Sequence, residues 1–461
     1  MPFEKITDQD IVKGYCTDYS NYPGYADALI RPKSTDEIVE ILKEANSKKI
    51  QILPIGNRSS LTGSAAAEGG WIIDTSQMSK IIEIDKTKKI AISEPGIMLS
   101  DFKKRILEEG LFYPPDPTSE KECFFGGSVA TNASGSRTFK YGSTRKYVRA
   151  IEVVLANGEV LNISRPEIEK NTFGYLPFQN MVDIFVGSEG TLGIITKTEV
   201  DLITKPENFF GGLIFFTSLS NALDFVIAIR KELKTINPSI TPRAVELFDH
   251  HGLDIIKPDS PFPIPEKANT ALFIEQEYQD NFESILESWI SFIEKNNALS
   301  DDTIIAETQK KQDELRRLRH KVPSTLFEEG AKWVPHGGGK ISTDWSVPIN
   351  RIHEIIDYAQ TLSTEAKIIE PVIYGHIGNG HPHYNFIAKK AKEKEEILAV
   401  VHKTCQKVVS MNGTIAGEHG IGKVKKTFLK YQYPPQIINA MKSLKHSLDP
   451  NGILAKGNIF D

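Results

Sequence analysis

A chain of 461 residues with 40% hydrophobic and 25% charged residues is long enough for two or three domains with cores of their own. A formal net charge of −5 leaves no basic footprint for nucleic acid, and no apolar run approaches the roughly 18 residues a bilayer span needs. Cys16, Cys123 and Cys405 are too scattered for a disulfide framework or an iron–sulfur cluster, and the N-terminus lacks the basic and apolar regions of a signal peptide. A reducing cytoplasm is the expectation, with peripheral membrane association through a partner left open.

The first half reads as alternating helices and short strands. Ser34-Thr35-Asp36-Glu37 is a capping box ahead of Ile38, Ile41, Leu42 and Ala45 at helical spacing. Strands are expected over 50–53, 71–74, 81–84 and 90–93, then a helix over 99–109 closed by Gly110. Residues 148–155 and 160–163 form a hairpin across Ala156-Asn157-Gly158-Glu159, because Asn-Gly favours a tight turn. Beyond about Pro206 the texture changes. Strands at 209–216, 270–276 and 304–306 alternate with helices at 220–233 and 282–296, a rhythm that resembles a ferredoxin-like antiparallel sheet. A charged helix over 308–319 leads into Pro323, and Trp333 to Lys340 reads as a glycine-rich loop.

Three glycine-rich segments follow candidate strands in the first half: Pro54 to Gly63, Pro114 to Ser119 continuing through Gly126 to Gly135, and Gly187 to Ile195. Glycine lets backbone N–H groups approach a diphosphate, and small hydroxyl and amide side chains add donors without bulk. None of the three is a Walker or Rossmann motif. Three of them within one 140-residue span argue for a large extended ligand.

All 11 histidines lie at or beyond His250, so the two halves carry different chemistry. Gly375-His376-Ile377-Gly378-Asn379-Gly380-His381-Pro382-His383-Tyr384-Asn385 places three imidazoles in what reads as a glycine-rich loop. Gly417-Glu418-His419-Gly420 sets a carboxylate beside a fourth. Imidazole and carboxylate together suit a zinc-like ion, and an imidazole left over can act as a general base.

The ordered set Pro-x-Gly-x-x-Ser-Ser-Leu-Thr-Gly, Pro-Pro-Asp-Pro, Gly-Gly-Ser-Val-Ala-Thr-Asn-Ala-x-Gly, Lys-Tyr-Gly-x-Thr-Arg and Gly-Ser-Glu-Gly-Thr-Leu-Gly-Ile-Ile-Thr resembles the FAD-binding domain of vanillyl-alcohol-oxidase-type flavoproteins. The two histidine motifs resemble the branch with D-lactate and D-2-hydroxyglutarate dehydrogenases and the FAD subunit of glycolate oxidase. The resemblance runs from about Tyr25 to Ile459. It implies an α+β protein: a two-subdomain FAD-binding domain of PCMH type over 1–205, and a ferredoxin-like antiparallel-sheet substrate (cap) domain over 206–415 with the metal-binding loop. A C-terminal segment, 416–461, returns to the FAD domain.

By the same resemblance FAD contacts fall on Pro54, Gly56, Asn57, Arg58, Ser59, Ser60 and Gly63, on Pro117, Thr118, Ser119, Gly127, Asn132 and Gly135, and on Gly190, Ile194 and Ile195. His376, His383 and Glu418 match ligands of a divalent metal, zinc or manganese. His419 matches the catalytic base, Asn385 a substrate-binding amide, and Arg319 the arginine that receives the substrate carboxylate. Lys340 is a weaker candidate for a second anionic group. Arg58 stands where glycine is common, and Asn379 and His381 where Asp and Asn are usual, which makes His381 a competing ligand. Pro323 lies where the D-2-hydroxyglutarate enzymes carry a hydroxyl, so a smaller monocarboxylate such as D-lactate fits better.

The implied activity is FAD-dependent oxidation of a D-2-hydroxy acid to the 2-oxo acid. D-2-hydroxyglutarate and glycolate are the alternatives within the family, and a zinc hydrolase is a rival from outside it. With no histidine before His250 to tether it, FAD is expected to be non-covalent. The chain carries no second redox centre of its own, so electrons leave to an external acceptor: quinone-linked, cytochrome, iron–sulfur or electron-transferring flavoprotein. A homodimer is left open.

Overall fold

The computed structural model describes residues 3–460. The chain divides into two compact units. The first comprises Met1–Gly135, Gly142–Lys205 and Glu418–Asp461; the second comprises Ser136–Tyr141 and Pro206–Gly417.

The first unit contains two sheets. Ala28–Ile30, Trp71–Asp74 and Ile52–Ile55 pair in parallel, with Trp71–Asp74 in the middle. The helix Thr35–Lys48 starts where the capping box places it, Ser34 accepting from the Glu37 N–H, and it buries Ile38, Ile41, Leu42 and Ala45 in the core with Ile73 and Val154. The C-terminal return joins this sheet: Ile52 N–H donates to Ile453 O at 2.7 Å and Ala455 N–H to Ile52 O at 2.7 Å. The second sheet is antiparallel, in the order Ile81–Asp85, Ile90–Ser93, Ile194–Asp201, Val148–Val154, Val160–Ser164. The Asn-Gly hairpin is its outer pair, and Gly158 takes the left-handed conformation such a turn requires (φ +83°).

The second unit is built on one seven-stranded antiparallel sheet. Its order is Ile304–Ala306, Asn208–Phe216, Thr270–Tyr278, Pro242–Phe248, Val372–His376, His381–Ala388, Gly339–Ser342. The first four, with the helices Leu219–Glu232 and Phe282–Lys295, have the ferredoxin-like order. The remaining three extend the sheet beyond those four strands, and Val372–His376 and His381–Ala388 carry His376, His381 and His383.

Two expectations are corrected here. The histidine segment is a β-hairpin closed by a one-turn 3₁₀ helix at Ile377–Asn379, and Lys340 lies in an edge strand instead of a loop. The charged helix does not end before Pro323; it runs from Gln309 to Trp333. The proline removes the N–H that would bond the Arg319 carbonyl. In the next position, Ser324 Oγ supplements the ladder on the His320 and Lys321 carbonyls at 3.0 and 2.9 Å. Beyond the proline, tertiary packing sustains the helix. Leu315, Leu318, Val322 and Leu326 form an apolar stripe against Phe248, Phe273 and Tyr374 of the sheet, and each such burial contributes about 1.5–3 kcal/mol.

Candidate active site

In the first unit the three glycine-rich segments converge. Gly187 N–H donates to Val129 O and Glu189 N–H to Ala130 O, which ties the third segment to the second. Pro54, in the strand Ile52–Ile55, lies so close to Gly190 that a Cβ there would stand 2.6 Å from its ring, which ties the third to the first. Gly135 also admits no side chain, since a Cβ would fall 2.1 Å from Asp116 O. Gly127 differs: a Cβ there would meet nothing within 4 Å, so its backbone faces open space. Gly56 lies beside it, a Cβ there falling 3.8 Å from Gly127 Cα, and such open glycine backbone fits a diphosphate-containing ligand that is held without cationic side chains.

The remaining residues expected at FAD divide between loop and framework. Asn57 Nδ2 donates to Glu122 O at 2.9 Å, and Asn132 Oδ1 accepts from Arg145 N–H at 2.8 Å, so both amides fasten the segments. Pro117 O accepts from Glu120 N–H in the turn that presents Thr118 and Ser119. Arg58 has the left-handed backbone glycine would adopt there (φ +60°), and its guanidinium turns onto Gly14 O and the Tyr15 ring. The extra charge therefore goes into framework contacts. Ile194 is buried in the core and pairs with Val154, and Ile195 pairs with Val153, so these two offer backbone at the start of the sheet's central strand.

The Glu418–His419 motif belongs to this unit and is held by a residue that sequence reasoning missed. Glu189 is buried, and its carboxylate accepts from Ile421 N–H at 2.6 Å and Gly422 N–H at 2.8 Å. Burial raises its pKa, and those two amide bonds counteract the rise. Thr62 Oγ1 donates to His419 O at 3.2 Å, and Ser134 Oγ donates to Glu418 Oε1 at 3.2 Å. A carboxylate inside a run of glycine and apolar residues was the available signal, because a buried acid needs donors.

In the second unit the strand pattern sorts the histidines. His376 lies opposite His381, and Tyr374 opposite His383, so His376, His381, His383 and Asn385 share one face of the sheet. Gly375 and Gly417 make room for the rings: a Cβ at either would lie 2.6 or 2.5 Å from the imidazole of His383 or His381. The ligating atoms of His376 and His383 lie within 4.8 Å of one another.

Each imidazole is oriented through Nδ1. His376 Nδ1 lies 2.6 Å from Glu246 Oε1, His381 Nδ1 lies 2.7 Å from Trp345 O, and His383 Nδ1 lies 3.5 Å from Thr343 O. These oxygens can only accept, so Nδ1 carries the proton and the lone pair of each neutral ring is at Nε2. That is the tautomer a metal-binding histidine presents. The donor set fits a divalent ion.

Glu246, also missed from sequence, joins two candidate functions. Its other oxygen accepts from Arg319 Nε at 2.6 Å, and the glutamate is fully buried. Burial alone would raise its pKa, but His376 and Arg319 outweigh that and hold it below the ordinary glutamate value. Arg319 is therefore a buried member of this network. The signal for Glu246 was a lone acid inside the apolar strand Ala244-Val245-Glu246-Leu247-Phe248. Asn385 is buried, and its Oδ1 accepts no hydrogen bond among the described residues. Lys340 shares the face of Asn385, its ammonium lies 4.4 Å from the Phe327 ring, and burial pushes its pKa down to about 8.

A glycine-lined cradle for a diphosphate ligand in one unit, and a ferredoxin-like sheet bearing ion-ready imidazoles in the other, define a flavin-dependent oxidoreductase. Residues 26–164 match the FAD binding domain, and residues 205–459 match the C-terminal domain of FAD linked oxidases. The chain belongs to the FAD-linked oxidase family and is an oxidoreductase that uses FAD.

Among its relatives, glycolate oxidase subunit GlcD of Bacillus subtilis is 32% identical, over 95% of this chain and 90% of that protein. D-2-hydroxyglutarate dehydrogenase of Stutzerimonas stutzeri is 27% identical over 100% and 96%, and D-lactate dehydrogenase of Anaerostipes hadrus is 29% identical over 94% and 89%. In fold the chain is similar to alkyldihydroxyacetonephosphate synthase (TM-score 0.71, 19% identity, 98% of this chain and 81% of that one). No helix among the described residues is long and apolar enough to cross a membrane.

Proposed function

We propose that the protein oxidises a D-2-hydroxy acid, D-lactate in the first instance, to the 2-oxo acid. The observation that carries this reading is the buried string His376–Glu246–Arg319, in which one carboxylate orients both a metal-type imidazole and a carboxylate-binding guanidinium. A bound FAD would supply the hydride acceptor, and a divalent ion, which His376, His383 and Glu418 would hold, would lower the pKa of the substrate hydroxyl by several units. Zinc or manganese suits that set.

The remaining work belongs to side chains. Arg319, permanently charged and forked, receives the substrate carboxylate and so decides which face of Cα is presented. His419 takes the hydroxyl proton at a ring nitrogen, and Asn385 offers its amide to the bound acid. Pro323 stands one helical turn beyond Arg319, and by the family resemblance it occupies the place where the D-2-hydroxyglutarate enzymes carry a hydroxyl, which favours a short monocarboxylate. Electrons then leave to an external protein or quinone-linked acceptor.

One observation favours a second reading. Lys340 is a cation on the face of Asn385, placed to take a second carboxylate, as in D-2-hydroxyglutarate. Dye-linked turnover of purified protein over a panel of D- and L-2-hydroxy acids separates the two. D-lactate with the highest kcat/KM, and dyes far faster than air, is the expected result. A diacid preference would transfer the assignment to the second reading, and no turnover of any D-2-hydroxy acid would end both.

A further inference from the structure

Beside the histidine set just described lies a second group of metal-type ligands, contained entirely in the second unit. Asp344, His381 and His383 are all buried, and their ligating atoms lie within 4.8 Å of one another. Asp344 follows directly on the edge strand Gly339–Ser342. Its own position is fixed by backbone bonds: Thr343 N–H to Tyr384 O at 2.9 Å, and Gly417 N–H to Asp344 O at 2.7 Å.

The tautomers decide what the group can do. Trp345 O and Thr343 O accept from the Nδ1 atoms of His381 and His383, which leaves both Nε2 atoms as electron-pair donors. His381 Nε2 lies 3.4 Å from Asp344 Oδ1. A lone pair and a carboxylate oxygen are the donor types that a divalent cation takes. The spacing matches the cation: the ligand-to-ligand edge of a tetrahedral zinc site with bonds of about 2.1 Å is about 3.4 Å.

We propose that Asp344, His381 and His383 form a second divalent-cation position, contained in the second unit and sharing His383 with the set His376, His383 and Glu418. Two imidazoles and one carboxylate select a nitrogen-tolerant first-row ion, zinc or manganese, over magnesium or calcium. His383 has one lone pair at Nε2, so the two positions compete and the chain holds one ion at a time. The position keeps an ion on the second unit when Glu418 does not ligate it, a holding site for the catalytic metal. The proposal rests on the reading that His376, His383 and Glu418 form the catalytic set.

Zinc titration of the metal-stripped, FAD-loaded full chain against a chromophoric chelator tests both statements, with stoichiometry checked by elemental analysis and folding by retained flavin colour. The expected pattern has four parts. The native chain binds one zinc; Glu418→Gln still binds one zinc, more weakly; His381→Asn binds one zinc through the Glu418 set; and the double variant binds none. Loss of zinc from Glu418→Gln alone would overturn the second position and leave the catalytic set standing. Native affinity in Glu418→Gln with an empty His381→Asn would overturn the catalytic set and leave the second position standing. Zinc retained by the double variant, or none bound by the native chain, would overturn both.

Discussion

The two units present chemistry in opposite ways. The first offers backbone: Gly127 faces open space, Arg58 and Asn132 adopt left-handed conformations, and the polar side chains mostly fasten one loop to another. The second offers side chains: Glu246, Arg319, His376, His381 and His383 are buried, and their hydrogen bonds involve three strands, a helix and residues 343–345. A backbone cradle tolerates changes of side chain and fails when a glycine gains a Cβ. A buried charge network tolerates little loss of charge, because each member is the counter-ion of another.

The largest expected effect comes from His419, which acts on substrate directly. His419→Asn should keep FAD and metal but slow flavin reduction by about 10²–10⁴-fold in anaerobic stopped flow, the usual worth of a positioned acid–base group. An unchanged rate would assign the base elsewhere, with His381 the first to test.

Glu246 comes next, and it acts through its neighbours. Glu246→Gln leaves the Arg319 charge buried without its partner, which should cost about 3–5 kcal/mol of stability in the second unit. Loss of the carboxylate behind His376 should also weaken zinc binding by about 10–100-fold. Denaturation and chelator titration read the two separately, and a stability loss with native zinc affinity would confine Glu246 to a structural role.

In the first unit two glycines should behave differently. Gly135→Ala forces a Cβ against Asp116 O and should destabilise the fold by more than about 2 kcal/mol. Gly127→Ala should leave the fold within about 0.5 kcal/mol of native while raising the FAD dissociation constant. Equal FAD affinity in Gly127→Ala would move the diphosphate away from Gly127.

The smallest effect is a pH dependence at Lys340, whose ammonium is charged below about pH 8 and neutral above it. If a diacid uses it, the diacid KM should rise as pH passes through about 8, and Lys340→Met should raise that KM at pH 7. The KM for D-lactate should change in neither case. A parallel change for both substrates would remove Lys340 from diacid selection.

The sequence was most legible where the signal is local. The capping box at Ser34, the Asn-Gly hairpin and the strand–helix rhythm beyond Pro206 each depend on residues a few positions apart, and each formed. The histidine segment was misread as a loop because glycine, proline and histidine suggest turns. Its strand character comes from pairing with Gly339–Ser342 and with Pro242–Phe248, which no local window contains. Pro323 reads as a stop, and the buried stripe on both sides of it overrides that signal. Glu246 lies 130 residues from the imidazole it orients, so only folding could reveal that partnership. Ser136–Tyr141 belongs to the second unit, where Arg137 pairs with Glu275 at 3.1 Å, and nothing in the composition of that short stretch announces it.

Anaerobic addition of D-lactate, and separately of L-lactate, to the purified protein tests the central claim most directly. The account predicts that the visible flavin band bleaches completely with the D-enantiomer, that pyruvate forms one-to-one with reduced flavin, and that the L-enantiomer leaves the colour intact. Bleaching by L-lactate alone, or a flavin that no 2-hydroxy acid reduces, would contradict it.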